Sequence, residues 1–245
     1  MRIKSILVLC ITFYFMYAPF DALSAETPFV DPNIPNGETV TYTTTIGDKP
    51  FSVVEKVSII SDGERKLYEI ISLSDSIDRE LVLDKETMAI VSVHTLRKYP
   101  EVTLDSKLKV KDERPVLEDS EVKLADFAVM SYVFRGFPFT KLDELKIGFY
   151  GAEQKRKFSF KANNTGKETL TVNDKSIECY KLEFGLDGFW GTFFPKMNVW
   201  YSVTPPHYLV RYKGLVGPPG SPKRDMQLLN YTISDQESPN PFDNL

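Results

Sequence analysis

The chain has 245 residues, 34 acidic against 30 basic for a net charge of −4, and 42% hydrophobic content. That content is enough for a packed core and excludes wholesale disorder. Slight acidity, without any run of lysines or arginines, argues against nucleic acid as a partner.

The chain opens with a three-part leader. Arg2 and Lys4 give a positive start, residues 6–17 are apolar and uncharged, and Leu23-Ser24-Ala25 supplies small residues at the end. This layout predicts a secretory signal peptide over 1–25, and so an exported or periplasmic protein. The apolar stretch falls short of the about 20 residues that span a bilayer comfortably. An uncleaved anchor is the alternative, because the residues after Tyr17 stay fairly apolar. No transmembrane span is expected after signal removal. Cys10 lies inside the apolar stretch and is not read as a lipidation site. Cys179 is then the only thiol left, so no intramolecular disulfide is expected and stability must come from burial.

Residues 26–36 are proline-rich and polar, and read as an extended leader. From Gly37 the period becomes two: Val40, Tyr42, Thr44 and Ile46 alternate with threonines. Further runs at 51–61, 65–73, 79–83, 89–97 and 102–110 are separated by turn residues, including Asp62-Gly63, which suits a tight hairpin. Residues 120–135 break the rhythm. They contain no glycine or proline, Asp119 or Ser120 can cap their start, and Gly136 suits a left-handed closing residue. Because this predicted helix is apolar nearly all round, it must be covered on most sides. Strand patterns resume at 145–150, 156–162, 168–172, 177–186, 197–203, 208–213 and 225–233, and 235–245 is a polar tail. The predicted fold is mainly β. It is an antiparallel meander forming a large curved sheet or open barrel, one domain over 37–234, with one buried apolar helix at about 120–135.

Several strands are apolar on both faces. Tyr208, Val210 and Tyr212 oppose Leu209; Val199, Tyr201 and Val203 oppose Trp200; Tyr68 and Ile70 alternate with Leu67, Ile71 and Leu73. A half-solvated antiparallel strand is apolar on one side only. The second face is therefore either ordinary core, partly covered by the helix, or the lining of a ligand cavity.

Several short stretches carry a family likeness. They are the turn Pro35-Asn36-Gly37-Glu38 into Val40-Thr41-Tyr42, the helix end Val133-Phe134-Arg135, the pair Val199-Trp200-Tyr201-Ser202 and Tyr208-Leu209-Val210-Arg211-Tyr212, and a last strand through Leu228 to Tyr231. Together they resemble exported bacterial proteins of the domain of unknown function 3108 family, over nearly the whole chain after the signal. The resemblance implies an exported β protein and no catalytic residues. Pro205-Pro206 departs from the acidic turn the family pattern implies between Ser202 and His207. A curved sheet with a helix on its concave side is also similar, in architecture alone, to LolA/LolB-type lipoprotein carriers.

Candidate chemistry is sparse. Cys179 has Lys181 two residues on but no histidine near in sequence, so it reads as a packed small residue. His94 and His207 lack zinc-ligand spacing, and neither a nucleophile elbow nor a phosphate-cradling glycine loop is present, so no metal and no cofactor are expected. Asp75, Asp78 and Glu80 cluster in a turn without the glycine and spacing of calcium loops. The most unusual segment is Gly188-Phe189-Trp190-Gly191-Thr192-Phe193-Phe194-Pro195. Its four large aromatics either plug an open end of the sheet or form an apolar tip that meets lipid, an acyl chain or a protein partner. Arg135 either complements the helix C-terminal dipole or steers a ligand headgroup. Phe189, Trp190, Phe193, Phe194, Trp200, Tyr201 and Arg135 are thus the contact candidates, and no residue is a catalytic one. The expected function is non-enzymatic binding of an apolar ligand or envelope component in the concavity of the sheet. A scaffold or assembly partner of an envelope complex, docking by the aromatic loop or an edge strand, is the alternative; a hydrolase or transferase comes last.

Overall fold

A computed structural model describes residues 27–109, 117–118, 121–124, 130–150, 157–188, 191, 194–216, 221–234 and 242. The predicted signal segment 1–25 lies outside them.

The meander predicted for the first half forms as β1 (Glu38–Ile46), β2 (Lys49–Asp62), β3 (Arg65–Ser74), β4 (Ile77–Asp84), β5 (Ile90–Lys98) and β6 (Thr103–Lys109). The second half is β7 (Leu117–Glu118), β8 (Glu121–Leu124), β9 (Glu144–Tyr150), β10 (Lys157–Val172), β11 (Lys175–Leu186), β12 (Met197–Ser202), β13 (Leu209–Leu215) and β14 (Lys223–Ile233). They join one 14-stranded sheet in the order β6-β5-β4-β3-β2-β1-β14-β13-β12-β11-β10-β9-β8-β7, so the last long strand closes back on the first. The ladders are antiparallel except β8 with β9. The sheet stays open, with β6 and β7 at its edges.

Register shifts interrupt the ladders at Thr41/Tyr42, Val82/Leu83, Asn164/Lys167 and Trp200/Tyr201. Bulges of this kind add local twist and let a wide sheet curl. One of them merges what the sequence splits in two. Residues 157–162 and 168–172 belong to the single strand β10, because Gly166 at φ +99° absorbs the irregularity within the strand. Another changes which side chains share a face. Tyr201 pairs with Leu209 and Trp200 with Arg211, leaving Val210 as the extra residue. Leu209 and Tyr212 therefore lie on one face, not the opposite faces that strict alternation implies.

The helix is present, buried and shorter than the predicted 120–135. It comprises α1 (Met130–Val133) and a 3-10 turn over Phe134–Gly136, while Glu121–Leu124 is strand. The strand signal was local: Val122 and Leu124 alternate with Glu121 and Lys123, and both apolar residues are buried against β9. Gly136 is needed for a different reason than a left-handed turn. A Cβ there would stand 2.4 Å from the Val30 carbonyl oxygen, and the Val30 amide donates to the Gly136 carbonyl at 2.9 Å.

That contact shows where the leader goes. Phe29 and Ile34 are fully buried in the core, the Ile34 amide donates to the Tyr68 hydroxyl at 3.1 Å, and Asp31 accepts from Tyr68 and Lys85. At the other end of the chain Phe242 is buried with its ring 4.6 Å from that of His94, so part of the polar tail also packs.

Candidate functional site

The sheet's inner face is set by the period of two. Glu38, Val40, Tyr42 and Thr44 point in from β1, and their partners across the ladder are Val57, Glu55, Val53 and Phe51 on β2. Adjacent residues of the 3-10 turn reach both halves of this face. Arg135 binds Glu38 on β1, while the Phe134 ring lies 5.0 Å from Phe184 on β11. Those strands stand four steps apart in the sheet, about 19 Å if it were flat. The sheet therefore curls round the helix.

Arg135 fixes the helix to β1. Its Nη1 and Nη2 donate to Glu38 Oε1 and Oε2 at 2.6 and 2.8 Å, and its Nε donates to the Pro206 carbonyl at 3.1 Å. The Tyr231 hydroxyl donates to Glu38 Oε2 at 3.0 Å. Both members of the pair are buried, and the guanidinium also lies over the Tyr132 ring. These bonds, not the helix dipole, are the partners that hold this side chain. Tyr201 belongs to the same region: its hydroxyl donates to the Met130 carbonyl at 3.3 Å.

A second polar group occupies the inner face towards the β1–β2 and β3–β4 turns, and the sequence reading missed it. The Ser72 hydroxyl donates to Glu55 at 3.3 Å, Arg79 Nε donates to Thr95 at 3.4 Å, and Arg224 of β14 lies nearby. Tyr132 turns its buried hydroxyl towards Glu55 from the helix. Among the described residues, the buried Thr44 hydroxyl and Arg224 Nε have no hydrogen-bond partner. Burial pushes the Glu55 carboxyl above its ordinary range and the Arg224 guanidinium below its own; Tyr132, Arg224 and Ser72 only partly offset the former. The signal was in the sequence: Glu55 is in phase with Val53 and Val57, and Arg224 with Met226 and Leu228.

The sign of the Glu55 shift gives a test. A carboxyl raised in the fold holds its proton more tightly there than in the unfolded chain. Its contribution is complete below the ordinary carboxyl range and lost as pH rises through the folded value. Glu55→Gln is expected to be more stable than the parent at neutral pH, with the gain vanishing under acid. Urea unfolding at both pH values checks this; a gain independent of pH would contradict it.

The outer face carries the other candidates. Trp200, which shares no face with Tyr201, donates its indole N–H to Glu168 at 3.0 Å beneath the Lys181 ammonium, and this bond draws the Glu168 carboxyl below its ordinary range. Cys179 is fully buried beside Ser202 across the ladder, and burial pushes its thiol up to about 12, which keeps it protonated and poorly nucleophilic. His94 Nε2 lies 2.7 Å from Asp105, and its ring is covered by Phe242. Asp78 pairs with Lys98 at 2.7 Å. No group of three or more potential metal ligands gathers among the described residues.

Of the aromatic segment, Phe189, Trp190 and Phe193 lie outside the described residues. Phe194 is half-buried and, with Phe160, Phe184, Leu186, Met197 and Leu215, lines a small apolar pocket. Leu215 ends β13 and its register partner Lys223 begins β14, which places this pocket at the same end of the sheet as Arg224.

No family model and no curated protein matches this chain, so the likeness to the 3108 family stays an expectation. Solved structures do resemble it. A β-barrel-like protein of domain of unknown function DUF1849 from Brucella abortus aligns over 81% of this chain and 98% of its own, at 8% identity and a TM-score of 0.41. The hypothetical lipoprotein YmcC from Escherichia coli aligns over 80% and 85%, at 12% identity and 0.37. The LolA superfamily protein NE2245 from Nitrosomonas europaea aligns over 82% and 88%, at 10% identity and 0.26. Each TM-score is under 0.5, so these likenesses assign neither family nor function. No helix among the described residues is long and apolar enough to cross a membrane.

Proposed function

We propose that this is an exported, non-enzymatic protein that holds an apolar ligand, such as an acyl chain or lipid, in the hollow of its curled sheet. The observation that carries the reading is the inner face of β9–β12. Leu145, Ile147, Phe160, Ala162, Leu182, Phe184, Met197 and Val199 make it continuously apolar, and it ends in the pocket walled by Phe194. Apolar lining with few polar groups is the usual character of a small-molecule site. Engagement of His94 Nε2 by Asp105, and burial that holds the Cys179 thiol in its protonated form, support the non-enzymatic part.

Native mass spectrometry of protein purified from its own envelope tests this. A bound lipid mass lost on denaturation, together with uptake of the neutral fluorophore N-phenyl-1-naphthylamine that Phe194→Ala weakens, is the expected result. A folded protein with neither adduct nor uptake would rule the reading out. Partner docking is the second reading, and it too has an observation of its own. Edge strand β6 is exposed along most of its length, and its Leu104 and the preceding Tyr99 and Val102 stand about half open to solvent at 51%, 51% and 52%. Co-purification of a stoichiometric protein in place of lipid would favour it.

A further inference from the structure

We propose that edge strand β6 is an interface between two copies of this chain, which join antiparallel across a two-fold axis at Ser106 and carry the sheet from one copy into the other. The interface stands apart from what the hollow holds, and it gives the exposed edge a definite occupant.

The backbone of β6 is open to a partner. β5 pairs with one side of it, and among the described residues no strand pairs with the other. Its ladder with β5 runs from Thr103 to Lys109 without a bulge, and the strand contains no proline, so two of the usual guards of a sheet edge are missing. The Tyr99 amide donates to the Val102 carbonyl at 2.9 Å, which sets the phase of that ladder. Leu104, Ser106 and Leu108 then turn their amides and carbonyls to β5, whereas Thr103, Asp105, Lys107 and Lys109 turn theirs to the free edge. An antiparallel partner must bring its own outward-turned residues opposite these. A two-fold axis therefore falls on a residue of the strand, not between two of them.

Charge then chooses the residue. An axis at Asp105 sets two aspartates against each other, and an axis at Lys107 does the same with two lysines. An axis at Ser106 sets Asp105 against Lys107 of the second copy, and Leu104 against Leu108, each twice by symmetry. Directly opposed unlike charges and apolar pairs stabilise a ladder, and like charges weaken it. The run Leu104-Asp105-Ser106-Lys107-Leu108 is thus its own complement when read backwards. Its side chains are placed for this. Asp105 lies 2.7 Å from His94 Nε2, yet its side chain is 47% exposed, and a carboxylate accepts more than one bond. Leu108 packs against the core and Leu104 stands half open, so the second copy continues the apolar face past the edge.

Sedimentation equilibrium of the protein purified from its envelope is expected to show a reversible dimer whose dissociation constant rises with salt. Lys107→Asp, which leaves the Asp105 contact with His94 in place, and Asp105→Lys should each weaken that dimer about tenfold, because each sets like charges opposite one another twice. Mixed in equal amounts, the two variants should form a mixed dimer as tight as the parent's, since every aspartate at these positions then faces a lysine. Native mass spectrometry tells the mixed dimer from the two homodimers. Restored association of two weakened chains separates recognition at this edge from loss of fold. A monomer at every concentration, a dimer that survives Lys107→Asp, or a mixture no tighter than its components would overturn the interface. A different protein seated on β6 in place of the second copy would overturn it too. None of these outcomes bears on fluorophore uptake, which tests the hollow alone.

Discussion

Arg135→Ala is expected to cost about 3–5 kcal/mol of unfolding free energy, because it breaks a buried ion pair. The alanine leaves Glu38 buried with, among the described residues, only the Tyr231 hydroxyl as a side-chain partner, and it frees the Pro206 carbonyl as well. Desolvation is what makes the loss large: water cannot reach the stranded carboxylate to replace the guanidinium. The same reasoning predicts that replacing both members by methionine, Glu38→Met with Arg135→Met, restores most of the loss, because no charge is then left buried. Urea denaturation of parent, single and double variants reads both effects. A loss below about 1 kcal/mol in the single variant would mean that Glu38 is hydrated or finds another partner.

Phe134→Ala is expected to cost a similar amount, about 3–5 kcal/mol, by a different route. The Phe134 ring makes edge-on contacts with Phe29 at 5.2 Å and Phe184 at 5.0 Å and stacks on Phe137 at 6.0 Å. It therefore ties the leader, the helix and the β11 side of the sheet at one fully buried point. Truncation leaves a cavity that three separately anchored elements cannot close together. Phe134→Leu, which keeps most of the volume, should lose about 1.5 kcal/mol or less. If the alanine and leucine variants unfold at the same denaturant concentration, the ring is not the packing centre described here.

Both residues lie in Val133-Phe134-Arg135, a stretch singled out in the sequence, yet neither role was legible there. The helix was expected because 120–135 lacks helix breakers and is strongly apolar. That criterion cannot separate a buried helix from a short buried strand, and Val122 and Leu124 went to the strand. Arg135 stood out as a charge in an apolar run. Its partner Glu38 lies 97 residues away in sequence, and only the curl of the sheet brings them together. Trp200 and Tyr201 were grouped by adjacency, whereas adjacent strand residues face opposite sides: Tyr201 meets the helix and Trp200 meets Glu168 and Lys181. Phe29 and Ile34 looked like part of an unstructured leader because a proline-rich stretch shows no period, and period is the only local cue.

By itself, the sequence determined the β meander, because alternation of β-branched and polar residues between turn signals is a local property of each strand, and it determined the presence of one buried helical segment. The tertiary structure alone decided which faces look inward, since single-residue bulges at Val210 and near Gly166 reverse or restore the alternation without any mark in composition. It also decided that Glu55, with Tyr132 and Arg224 acting on it, sits in a desolvated space. They come from three separate elements, and a field between charges depends on distance through the fold, not on spacing along the chain.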